Sequence, residues 1–239
     1  GPATNWKKQS AEVILLPLRK VLLAAVVIAI GVPWAFFGNW PWHVGVTVGL
    51  CAWVLGGQLV DIARKTQHAA TRVQGLKKLT RSYWGMQFAH LGLLVTALGI
   101  AFTTAYSIEK DVRLAPGESI TVNEYVFRFD GVEDHQGPNY VAQRGTLLVS
   151  HDGFSETLHP EKRIYRVQQN PMTEAAISGN SFRDLYVALG EPLDAGAWAV
   201  RIYHKPMIRW VWFGAVLMAF GAVLAMLDKR YRLKATGGR

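Results

Sequence analysis

Four runs of apolar residues, almost free of charge, punctuate the 239 positions of the chain: 21–37, 44–60, 86–102 and 210–227, each 17 or 18 residues long. At about 1.5 Å rise per residue such a run covers about 26 Å, and a further turn at each end carries it across a hydrocarbon core of about 30 Å. The pattern predicts four transmembrane helices. Between residues 107 and 205 the apolar residues alternate with polar ones instead, over 112–114, 125–129, 140–149, 154–158, 164–167, 185–189 and 198–203. Turn formers separate these stretches, among them Ala115-Pro116-Gly117, His151-Asp152-Gly153 and Ser178-Gly179-Asn180. Alternation and turns of this kind predict about seven short strands in a sandwich or barrel-like sheet. The fold class expected is membrane α+β: four transmembrane helices with a periplasmic β-rich domain inserted between helices three and four. Residues 1–106 would hold a cytoplasmic lead-in and helices one to three, 107–205 the β-rich domain, and 206–239 helix four and a basic cytoplasmic tail.

The connecting segments are less informative. Residues 11–20 place Ile14, Leu15 and Leu16 before Pro17 and are too short to span, so they are expected to form an interfacial lead-in. Trp34, Trp40 and Trp42 gather at the outer end of helix one, in and beside the turn GNWPWH, where an interfacial aromatic belt accounts for them better than a haem platform with His43 as ligand. The polar stretch 61–82 allows a helical element on the opposite side and carries no enzyme motif.

Charge then orients the spans. Of 26 basic residues, 15 fall in the segments expected inside: Lys7, Lys8, Arg19 and Lys20; Arg64, Lys65, Arg72, Lys77, Lys78 and Arg81; and Lys229, Arg230, Arg232, Lys234 and Arg239. Only Glu12, Asp61 and Asp228 oppose them, whereas the stretch between helices three and four holds 11 basic and 14 acidic residues. The excess of Lys and Arg places both termini in the cytoplasm and the β-rich domain on the opposite side of the membrane. Because the positive charge is juxtamembrane, it implies contact with anionic lipid and no nucleic acid. The opening GPATNWKK has no charged n-region leading into a cleavable apolar stretch.

Chemistry enters through few residues. Cys51 is the single cysteine, which excludes an internal disulfide, a Cys-x-x-Cys redox pair and a Cys-x-x-Cys-His haem attachment site. The β-rich stretch has no phosphate loop, nucleophile elbow or paired metal-ligand spacing, and His68, His135, His151 and His159 are expected to be surface histidines. His90 differs, as the one histidine deep within a predicted span, SYWGMQFAHLGLLVTALGIAF. An ionisable group at that depth is costly and faces a cavity, a partner or a cofactor. Met86, His90 and Ala97 share one helical face, and Gly85, Gly92 and Gly99 line another on which a second helix or a porphyrin edge could approach closely. Imidazole is an axial ligand of haem iron, but a histidine bonded to a neighbouring helix fits the pattern equally well. A second ligand would come from another polypeptide, unless Met86 or Cys51 served.

The helix YWGMQFAHLG, the opening GPATNWKK, the segment VALGEPLDAGAWAVRIYHKPMIRWVWFGAVLMAFG and the exit AMLDKRYR resemble the C-terminal portion of the CcmF family of cytochrome c-type biogenesis proteins, over essentially all 239 residues. The resemblance implies a haem lyase subunit that, with CcmH, takes haem from the carrier CcmE and joins it to the Cys-x-x-Cys-His thiols of apocytochrome c. It also implies a structural haem b in the membrane, with quinol as a source of electrons, and makes His90 one axial ligand of the haem iron. The family's tryptophan-rich platform, its flanking periplasmic histidines and its first intramembrane histidine have no match among these residues. The chain is therefore expected to be a fragment or one product of a split version, working with the remainder of CcmF or its other chain and unable to complete the chemistry alone. Two other classes fit the bare pattern: a b-type cytochrome electron-transfer subunit of a quinone-linked oxidoreductase, weakened by the lack of a second histidine, and a transporter subunit, weakened by too few spans for internal repeats.

Overall fold

The hydropathy runs become helices and the alternating stretches become strands in a computed structural model that describes residues 11–167 and 169–228, without the side chains of 11–18 and 37. Lys7, Lys8, Lys229, Arg230, Arg232, Lys234, Arg239, the opening GPATNWKK and the last residues of AMLDKRYR lie outside the described residues. Two compact units follow from the contacts, one of residues 1–105 with 210–239 and one of 106–209.

The first unit is helical. Helix α1 (Ala11–Phe37) is followed by α2 (Trp42–Thr66), a short α3 (Arg72–Lys78), α4 (Arg81–Tyr106) and, after the β-rich unit, α5 (Ile208–Met226). Four of these are long and apolar enough to cross a membrane: α1 over Arg19–Phe36, α2, α4 and α5. The stretch 11–20 is not a separate lead-in but the first turns of α1 itself. Asp61, expected in a polar connection, lies in the last turns of α2, and only residues 67–71 separate α2 from α3. Gly38, at φ 67°, ends α1 by donating its N–H to the Trp34 carbonyl at 3.0 Å, and Pro41 precedes α2. Small residues on α2 admit α1: a Cβ on Gly49 would stand 3.0 Å from that of Ala29, and one on Gly56 would strike Val21.

The second unit is a sandwich of two antiparallel sheets, with ten strands: β1 (Ile108–Leu114), β2 (Ser119–Val122), β3 (Tyr125–Gln136), β4 (Tyr140–His151), β5 (Phe154–Leu158), β6 (Glu161–Tyr165), β7 (Pro171–Glu174), β8 (Ala176–Gly179), β9 (Arg183–Pro192) and β10 (Trp198–Pro206). One sheet runs β1-β10-β9-β8 and the other β2-β3-β4-β6-β7, with β5 on the far half of β4. The turn Asp152-Gly153, with φ 39° and 80°, is the two-residue hairpin link that such a dipeptide favours. Phe127 and Phe129 of β3, Leu147 of β4 and Leu185 and Ile202 of the facing sheet are fully buried between the layers. Strand alternation supplies this core: Phe127 and Phe129 point in while Val126, Arg128 and Asp130 point out.

Candidate functional site

His90 sits in the first half of α4, whose start is tied down at three backbone N–H groups. Thr80 accepts from Tyr83 through Oγ1 at 3.2 Å and from Trp84 through its carbonyl at 3.1 Å, and the Asp228 carboxylate accepts from Ser82 at 2.8 Å. The glycine face of α4 is occupied by α5. A Cβ on Gly85 would come within 2.5 Å of the Gly221 carbonyl, and one on Gly92 within 2.5 Å of the Gly214 carbonyl. Backbones meet there at a distance no side chain tolerates, and Thr96 Oγ1 adds a bond to the Val211 carbonyl at 3.3 Å. Of the two occupants that the glycine spacing allows, the structure selects a helix.

Positions on a different face stay open. His90, Leu93 and Ile100 are exposed on α4. The His90 Nδ1 lies 2.8 Å from the Met86 carbonyl one turn back. With the proton on Nδ1, that ring nitrogen donates to the carbonyl and the Nε2 lone pair points away from the helix. This is the tautomer and ring fixation that metal-bound histidines commonly have. Neither alternative ligand complements it. Met86 is one turn along the same helix, so it cannot stand across a macrocycle from His90, and Cys51 is buried against α4 with its thiol 3.7 Å from the Leu94 carbonyl. Among the described residues no group of three or more His, Cys, Asp and Glu could hold a metal ion.

The remaining histidines divide by environment. His43 is exposed beside the Trp42 ring, His68 pairs with Gln67 at 3.0 Å, and His159 lies 3.4 Å from Thr146. Trp34, Trp40 and Trp42 are all exposed, and Trp40 also turns back to donate its indole N–H to the Ala29 carbonyl at 2.8 Å and covers Gly45. His151 donates from Nδ1 to the Glu124 carbonyl, 2.8 Å away, and faces Tyr125 with ring centres 4.9 Å apart. Tyr125 also stacks with His204, with ring centres 6.0 Å apart. His204 is buried with Nδ1 unbonded, and burial, then the neighbouring Arg183 charge, push its basicity below the ordinary histidine value. Arg183 itself is buried between the Tyr125 and Phe154 rings, bonded to Tyr125 Oη at 3.0 Å and to the Ser178 carbonyl at 2.8 Å. Sequence reasoning left this group unread, because its members come from six strands and a turn and share no spacing. It also passed over Gln87 and Asp61, two buried polar side chains of the helical unit; a glutamine inside an apolar run was the available signal.

Comparison with known proteins fits this geometry to a family. Residues 105–206 match the family model described as the CcmF C-terminal beta-sandwich. The cytochrome c-type biogenesis protein CcmF of Pseudomonas aeruginosa is 47% identical over 235 residues, which cover 98% of this chain and 36% of that protein. Its counterpart from Escherichia coli is 41% identical over 237 residues, covering 99% of this chain and 36% of the relative. A solved structure of Cytochrome c Heme Lyase CcmF superposes with a TM-score of 0.77 at 19% identity, over 95% of this chain and 37% of that one, and shares the fold. The chain thus spans about a third of the length of these relatives. Helices and sandwich match together and in one order, so the chain belongs to the CcmF family of cytochrome c-type biogenesis proteins and corresponds to its C-terminal portion.

Proposed function

We propose that this chain is the C-terminal part of a haem lyase subunit that attaches haem to apocytochrome c, and that His90 supplies one axial ligand to an intramembrane haem b. The observation that carries the proposal is the exposed imidazole on an apolar helix face, held through Nδ1 with Nε2 free. Facing lipid, such a group is costly; covered by the rest of a larger protein, it becomes a ready ligand. Haem iron would supply one-electron chemistry there. The chain's own part is to fix the ring, through the Met86 carbonyl, and to keep its surroundings apolar with Leu93 and Ile100. The second ligand would come from the remainder of CcmF or its other chain.

In this reading the helices lie in a bacterial inner membrane with the basic α2–α4 connection in the cytoplasm and the sandwich in the periplasm, where it would meet CcmH, the haem carrier CcmE and apocytochrome c. Quinol is the electron source the family resemblance suggests. The test is an absorption spectrum of the complex, with the remaining part of CcmF present, for wild type and His90→Ala. The substitution is expected to abolish or shift the b-type haem bands and to leave apocytochromes c without haem in the same cells. Unchanged bands would overturn the ligand assignment, and normal c-type cytochromes in a strain lacking the whole chain would overturn the assembly role.

A further inference from the structure

Charge on the helical unit is concentrated where α2 hands over to α4. Between Asp61 in α2 and Glu109 in β1 the sequence holds no acidic residue, while Arg64, Lys65, Arg72, Lys77, Lys78 and Arg81 all fall between positions 64 and 81. All six are exposed. Among the described residues only Lys65 is matched by a carboxylate, lying 3.3 Å from Asp61.

Packing fixes how these cations are presented. Helix α2 ends at Thr66, and Thr71 opens α3 by accepting the Gln74 N–H on its hydroxyl at 3.3 Å. Gly75 then lets α3 fold back on α2. A Cβ at Gly75 would stand 2.8 Å from the Thr66 Cβ, and Thr66 is itself buried, with its hydroxyl bonded to the Ile62 carbonyl at 2.9 Å. At about 100° per residue, Val73 and Lys77 lie nearly opposite Gly75 and point away from α2. Val73 is 60% exposed. The free face of α3 is therefore a bare β-branched side chain beside Lys77, with Arg72 and Lys78 exposed on its flanks.

Reach and charge together identify what covers this face. Helices α2 and α4 are each long and apolar enough to cross a membrane, and the first ends at Thr66 while the second begins at Arg81. Residues 67–80 thus leave and re-enter at one bilayer surface and cannot carry α3 far from it. Basic side chains held at that surface attract anionic headgroups, and an apolar side chain among them is better placed at the boundary of headgroups and acyl chains than in water. A soluble anion would meet the cations and leave Val73 wet; an anionic lipid meets both.

We infer that the α2–α3–α4 connection is a docking surface for anionic phospholipid, in which headgroup phosphates pair with Arg72, Lys77, Lys78 and the flanking Arg64 and Arg81 while Val73 enters the headgroup boundary. So anchored, α3 fixes the depth at which α2 ends and α4 begins. Neither the haem assignment nor His90 enters the argument.

The test uses the complete protein, with the remaining part of CcmF present, in neutral detergent. An environment-sensitive dye on Gln74→Cys, in a Cys51→Ser background, follows α3 as phosphatidylglycerol is added, with phosphatidylcholine and inorganic phosphate as parallel additions. Phosphatidylglycerol alone should move the emission to the blue. Lys77→Gln should raise the half-saturating lipid about fivefold, the factor one basic side chain contributes near an anionic surface, and Lys77→Arg should restore it. Val73→Ser leaves every charge in place and should also weaken the response to lipid. Phosphorus assay of lipid retained on unlabelled wild type and Lys77→Gln gives the same comparison where the labelled protein does not fold. No shift with phosphatidylglycerol, an equal shift with phosphatidylcholine, a shift with inorganic phosphate, or half-saturation indifferent to Lys77→Gln and Val73→Ser would each overturn the inference.

Discussion

His204 shows how a single residue's surroundings set its chemistry. Its ring is enclosed between strands, stacked on Tyr125 and close to the Arg183 guanidinium, so the protonated form is disfavoured in the fold. An unfolded chain would take up a proton at the ordinary histidine value while the sandwich still resists it. Stability is therefore complete above that value and falls as the pH drops below it, towards the lowered folded one. Thermal melts of the full chain in detergent between about pH 7 and pH 5 should show the sandwich weakening in acid, with His204→Gln flattening the dependence. A dependence unchanged in the variant would assign it elsewhere. Glu161 works in the opposite sense: burial alone would raise its basicity, yet Arg163 at 2.7 Å and Arg144 at 2.6 Å outweigh burial and lower it. Neither environment was legible in the residues themselves, since Arg183 reaches His204 across β9 and β10 and Glu161 reaches Arg144 across β6 and β4.

Elements were legible in proportion to the strength of their local pattern. The four long helices announce themselves by unbroken apolar runs, and the strongly alternating β3, β4, β9 and β10 by period two. Three strands lie outside the expected set: β2, β7 and β8, each of four residues. In β7 all four residues are exposed, so no burial pattern exists to be read. Strand β6 begins at Glu161 instead of 164 because pairing with β4, not its own hydropathy, defines it. Helix crossing offers a direct test at this scale. A methyl group at Gly92 would meet the Gly214 carbonyl at 2.5 Å and the Met218 nitrogen at 2.6 Å, both rigid backbone. Gly92→Ala should destabilise the helical unit by about 1–3 kcal/mol, the usual range for overpacking. Gly57, where the same methyl group meets nothing within 4 Å, supplies the control. Equal denaturation midpoints for the two alanine variants would argue against close contact between α4 and α5.

At the scale of the whole molecule the distribution of Lys and Arg makes the strongest claim, because it assigns sides of the membrane. A single cysteine introduced at Ser155, on the exposed edge of β5, should react with a membrane-impermeant thiol reagent added to the periplasmic side, in a Cys51→Ser background. One introduced at Gln67, in the α2–α3 connection, should react only after the membrane is opened. The reverse pattern would invert the topology. The hydropathy and alternation of the sequence were enough to determine four helices long and apolar enough to cross a membrane, the existence of a β-rich unit between the third and fourth of them, and the place of His90 within the third, since each depends on residues close along the chain. The family followed from motifs in the same way. Only the tertiary structure decided that α5 fills the glycine face of α4, that His90 turns outward on a different face, and that Tyr83 of α4 meets the Asp61 carboxylate of α2. Those outcomes depend on which distant segment packs against which face, a choice made by the fit of whole surfaces and carried by no local period.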